Sequence, residues 1–75
     1  MHPLIGKEVL LMCANYMYTG TLDKMEIDHV CLQNPTLVYE TGQWSEKKWK
    51  VAEKLPTDRV FVERSAVEAM FELKK

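Results

Sequence analysis

The stretch Tyr16–Asn34, YMYTGTLDKMEIDHVCLQN, decides the fold. It begins with an alternation: Tyr16, Tyr18, Gly20 and Leu22 fall on one face of an extended chain, and Met17, Thr19 and Thr21 on the other. Glycine weakens a strand interior unless the sheet bends there or another backbone comes close, so Gly20 marks such a place. The charged knot DKMEID, Asp23–Asp28, reads as a turn. HVCLQN, His29–Asn34, then resumes an extended run with Val30 and Leu32 on one face. Pro35 has no N–H to give to a ladder, so the strand pauses or shows an edge there before TLVYE, Thr36–Glu40, continues it.

Upstream, KEVLLMCA, Lys7–Ala14, is apolar on both faces and suits a short strand covered on two sides. Asn15 makes the tight turn of a hairpin between these strands. Downstream, residues 41–58, TGQWSEKKWKVAEKLPTD, are the most polar part of the chain, punctuated by Gly42 and Pro56, and form an extended loop or hairpin. RVFV, Arg59–Val62, is a short strand by composition. The segment ERSAVEAMFELKK, Glu63–Lys75, is ambiguous. Ser65 and Glu68 have capping-box spacing, and Val67, Met70 and Phe71 share a helical stripe. Yet Val67, Ala69, Phe71 and Leu73 alternate at period two with Glu68 and Glu72. Local propensity favours helix slightly.

A chain of 75 residues is one small domain whose folding leaves little stability to spare. An apolar content of 47% is more than one small core can hold, which points to burial between subunits. Cys13 and Cys31 lie inside apolar runs, away from zinc-knuckle spacing, and read as free buried thiols in a reducing cytoplasm. No metal or cofactor is expected. A net charge of −1 gives no bulk electrostatic sign of a nucleic-acid binder, so any such site is local. MHPLIGKEVLLMCA, Met1–Ala14, has no signal-peptide pattern, and no stretch approaches transmembrane length, so no membrane partner is expected.

GKEVLLMCANYMYTGTLDKMEIDHVCLQN, Gly6–Asn34, resembles the first signature of the Sm and Sm-like family, which includes the bacterial host factor Hfq. Tyr18, Gly20, Leu22, Glu26, Val30 and Leu32 occupy the places of its aromatic or basic residue, its Gly-x-Leu, its acidic turn residue and its apolar third strand. PLIGK, Pro3–Lys7, is similar to the lead-in of archaeal members, and VERSAVEAMF, Val62–Phe71, to the Hfq form of the second signature. Residues 41–58 have no counterpart of standard length. The resemblance implies one Sm-like domain over residues 1–75, all-β, folded as a small five-stranded, strongly bent antiparallel barrel of the Sm-like or SH3-like kind. It implies that Gly20 sits where the second strand bends, and that residues 67–73 form a strand. It further implies a homo-oligomeric ring of about five to seven subunits, closed head to tail by the last strand of one subunit against the fourth of the next.

The resemblance also implies a single-stranded RNA partner and no catalysis. By position it assigns Asp28, His29 and Val30 in one loop and Arg64 and Ser65 in another to RNA binding. The base-reading asparagine of the family falls at Val30 in an ungapped match, or at His29 if the loop is one residue shorter. His29 can stack on a base and hydrogen-bond its edge, whereas Val30 can do neither. Asp28 repels phosphate unless Arg64 offsets it; Arg64 is either that RNA contact or an ordinary interface or surface arginine paired with Glu63 or Glu68 of a neighbour. Glu26 is expected to hold its loop through backbone amides. Trp44 and Trp49, with Lys47 and Lys48, are either a second RNA surface or two rings packed across a hairpin tip beside a solvated face. A ring-forming structural or protein-interaction module without RNA recognition is the alternative function. Cys31, two residues from His29, is the local candidate for a nucleophile beside a base, but it belongs to the apolar run, so no enzyme is expected.

Overall fold

A computed structural model describes residues 2–46 and 48–74. Six strands form one antiparallel sheet: β1 (Glu8–Cys13), β2 (Met17–Met25), β3 (His29–Glu40), β4 (Val51–Lys54), β5 (Arg59–Glu63) and β6 (Val67–Glu72), with a 3₁₀ turn at Arg64–Ala66. The order runs β4–β3–β2–β1–β6, and β5 also pairs with β3. β3 therefore carries two partners end to end on one edge: β5 against His29–Gln33 and β4 against Thr36–Glu40. β5 is the expected strand at RVFV, while β4 lies inside the segment 41–58 expected as an extended loop or hairpin; the two share the edge of β3, interrupted at residues 55–58, which turns five strands into six.

The interruption follows from a bend in β3. Thr19 faces Thr36 and Thr21 faces Gln33, so Gly20 stands opposite the two residues Asn34 and Pro35. Asn34 takes a positive φ of 51°, a region where its short polar side chain is tolerated better than most. Its N–H donates to the Asp58 carbonyl (2.8 Å), and the Leu55 N–H donates to the Pro35 carbonyl (3.0 Å), so the split strand tracks the bend. Pro35 falls where the ladder is already broken, and the strand runs through it. A Cβ on Gly20 would lie 2.8 Å from the Gln33 carbonyl oxygen and 3.2 Å from the Leu32 Cβ. The bend at Gly20 is present, and its cause is on the partner strand: β3 bulges, and Gly20 makes room.

The charged knot is only partly a turn. β2 continues through Met25, and the turn is confined to residues 26–28, closed by the Glu26 N–H donating to the His29 carbonyl (2.9 Å). Leu22 faces Leu32 but Lys24 faces Cys31, so Asp23 is an extra residue that lets Leu22 and Met25 share the inner face. That face holds the core of Val9, Leu11, Leu22, Val30, Leu32 and Val62, with Met25, Tyr18, Val67 and Met70 packed against it. Leu10, on the opposite face, is also fully buried, as a strand covered on two sides requires. Residues directly opposite in a ladder share a face, so Phe71, the partner of Leu10, lies on this second face, and the Trp44 ring stands 6.0 Å from it.

The last segment is a strand. β6 supplies partners for the outer edge of β1, from Val9 facing Glu72 to Cys13 facing Val67, which a helix would leave open. Both cysteines are free, Cys31 buried and Cys13 half-buried. Among the described residues no helix is long and apolar enough to cross a membrane.

Candidate nucleic-acid interface

The β2–β3 turn and the 3₁₀ turn between β5 and β6 are neighbours because His29 pairs with Glu63. Arg64 ties them together. Its main-chain N–H donates to the Asp28 carbonyl (3.0 Å) and its Nη1 donates to the Glu26 carbonyl (3.1 Å). A guanidinium has five N–H donors in a fixed fork, so one bond to the loop leaves others on this exposed side chain for a ligand. Asp28, His29, Arg64 and Ser65, far apart in sequence, thus meet at one edge of the barrel. It is the main chain of Glu26, through its N–H and its carbonyl, that holds the loop here.

The His29 side chain is 35% exposed, and its Nδ1 lies 2.7 Å from Oδ1 of Asp28, whose side chain is 79% exposed. An ionised carboxylate only accepts, so Nδ1 carries the hydrogen and donates it. The other face of the arrangement is Phe61 on β5: its ring centroid is 5.3 Å from that of His29, with the planes at 83°. Two perpendicular rings make a corner, so a base lying flat on one meets the other as a wall.

Val30 is outside this corner. It is 1% exposed and belongs to the core, because strand alternation turns His29 outward and Val30 inward beside Leu32. Val30 cannot touch a base, which corrects its assignment to the site. Phe61, 61% exposed, escaped the sequence reading. The signal was present: in RVFV the two valines face the core, so the phenylalanine between them faces outward.

Trp44 and Trp49 lie beyond the other end of β3. Their rings meet edge to face at 6.0 Å, and Trp44 also meets Phe71, so they pack across the hairpin tip and onto β6. Trp44 remains 56% exposed. Lys48 is exposed, Lys50 pairs with Glu40 at 3.6 Å, and Lys47 lies outside the described residues. Cys31 and His29 do not form a pair: Sγ of Cys31 is 3.8 Å from Oδ2 of Asp23, while His29 turns to Asp28. Burial, and after it the Asp23 carboxylate, push the Cys31 thiol above its ordinary range, which suits a packed side chain better than a nucleophile.

No protein-family profile matches the chain, and no curated protein matches it in sequence. Among solved structures, the Sm protein of Pyrococcus abyssii, in complex with a uridine heptamer, superposes with a TM-score of 0.71 over 96% of this chain and 90% of that one. The fold is that of an Sm protein. Identity with that structure is 15%, so the likeness speaks for the Sm fold and leaves the chemistry to the residues in place. In the Sm fold of this chain, those residues are the Arg64-tied loops and the His29–Phe61 corner.

Proposed function

We propose that this protein is a cytoplasmic Sm-like RNA-binding protein, without catalysis, that forms a homo-oligomeric ring of about five to seven subunits and holds single-stranded RNA for processing or regulation. The observation that carries the proposal is the site itself: a partly exposed aromatic corner, His29 against Phe61, beside an arginine that joins the two loops. Single-stranded RNA needs a stacking surface, a group that reads a base edge and a nearby cation, and this corner supplies all three. The ring is supported by the sheet order: β6 ends it on one side and β4 with β5 on the other, and head-to-tail pairing of such edges covers both. A net charge of −1 fits a ligand gripped at few phosphates per subunit.

Fluorescence anisotropy with labelled oligo-uridine and oligo-adenine at low salt tests this. Binding is expected, weakened about tenfold by His29→Ala or Arg64→Ala; no binding of either probe sinks the proposal. The exposed Trp44, far from the loops, favours one other reading, a protein-interaction module without RNA recognition. That reading gains if association with a partner is lost in Trp44→Ala and survives nuclease.

A further inference from the structure

We infer that Asp28 is a positioning residue that makes His29 a proton-sensitive reader of the base edge, choosing bases by whether their ring nitrogen carries a hydrogen. The inference rests on the RNA-binding reading above and deepens it.

The argument starts from one contact. Asp28 Oδ1 lies 2.7 Å from Nδ1 of His29. Because the carboxylate accepts, the neutral imidazole is held in the tautomer with hydrogen on Nδ1, and Nε2 is left as a lone-pair acceptor. Among the described residues Nε2 has no hydrogen-bond partner. It stands on a ring that is partly exposed and perpendicular to Phe61. A base that lies against Phe61 brings its edge to the His29 wall of the corner.

An acceptor there distinguishes bases by their ring nitrogen. Uracil N3 and guanine N1 carry a hydrogen and satisfy the acceptor; cytosine N3 and adenine N1 carry lone pairs and repel it. Protonation of the imidazole turns both ring nitrogens into donors, and the preference inverts. The charged groups that surround His29 are Asp28 on its own loop, Glu63 opposite it on β5, Glu26 across the turn and Arg64 beside them. Phosphate arriving with RNA adds negative charge on the same side. Asp28 thereby has a use despite repelling phosphate: it sacrifices affinity and sets the polarity of the reader.

The test compares labelled oligo-uridine with oligo-cytidine of the same length, at about pH 8 and about pH 5.5, on either side of the range in which imidazoles titrate. Both are pyrimidines of similar stacking area, and neither base titrates in that range. Wild type is expected to prefer uridine about fivefold at the higher pH, the worth of one hydrogen bond, and to lose or reverse the preference at the lower. His29→Phe keeps an aromatic ring and is expected to bind both probes with no pH-dependent preference. Asp28→Ala removes a negative charge and frees the tautomer. It is expected to bind both probes more tightly while the uridine preference at high pH shrinks; a merely structural role would weaken binding to both. If the probes bind and the wild-type preference is the same at both pH values, or survives in His29→Phe, the inference is overturned and the RNA-binding reading stands. If neither probe binds at low salt, both fall.

Discussion

At Gly20 a methyl group has nowhere to go. The obstacle is a carbonyl oxygen of the neighbouring strand at 2.8 Å, which cannot swing aside as a side chain would. Gly20→Ala is expected to lower the unfolding free energy by about 2 kcal/mol or more, read from urea titration. Across the ladder, Asn34→Gly should be neutral or stabilising and Asn34→Val destabilising by about 1–2 kcal/mol, since a positive φ costs a β-branched residue most. A pH effect belongs to Cys31. Its thiol sits above the ordinary value of 9.0 because of burial and then Asp23, so the fold favours the protonated form. Stability is therefore full below pH 9 and declines as pH rises from there through the folded-state value; urea midpoints measured at rising pH should fall in wild type and fall less in Cys31→Val. Single residues were unevenly legible in the sequence. Gly20 announced a special backbone, yet nothing local said that the distortion sat on the partner strand at Asn34. Which of Val30 and His29 takes the base-reading place turned on a one-residue gap in the match, and the burial of Val30 in the core rules Val30 out.

Among the elements, two misleading patterns share one cause. Leu22 with Met25, and Val67 with Met70, are three residues apart, a spacing that belongs to a turn or a helix. In the fold each pair shares the core face of a strand, because an extra residue, Asp23 in β2 and Glu68 in β6, shifts the register between them. A bulge imitates helical periodicity over one step, and that is why the chain after Ser65 carried two interpretations until β1 demanded a partner. The loop contacts make two predictions. Arg64→Met removes the side-chain bond to the Glu26 carbonyl; hydrogen exchange at residues 26–28 should accelerate about fivefold, with little change in global stability. Trp44 and Phe71 should show a coupling of about 0.5–1 kcal/mol in a double-mutant cycle, because their rings connect the hairpin tip to β6.

For the whole molecule, the outermost strands dominate behaviour. Among the described residues neither β6 nor the β4–β5 pair has a strand partner on its outer side, and the proposed ring closes both. Its melting temperature should then rise with protein concentration, and native mass spectrometry should show one closed stoichiometry; a concentration-independent monomer would refute the ring. The overall plan was legible because alternation, glycine and turn residues agree along most of the chain, while the break at residues 55–58 was not, since it answers a bend more than a strand's length away in sequence, at its pairing partners Pro35 and Asn34. The pairing of β1 with β6 also has a temporal side. β6 is the last of the six strands to leave the ribosome and β1 the first, so Val9, Leu10 and Leu11 wait half-covered while everything between them is made. During that interval the nascent sheet has a sticky flank that chaperones, or an already finished subunit, are best placed to shield.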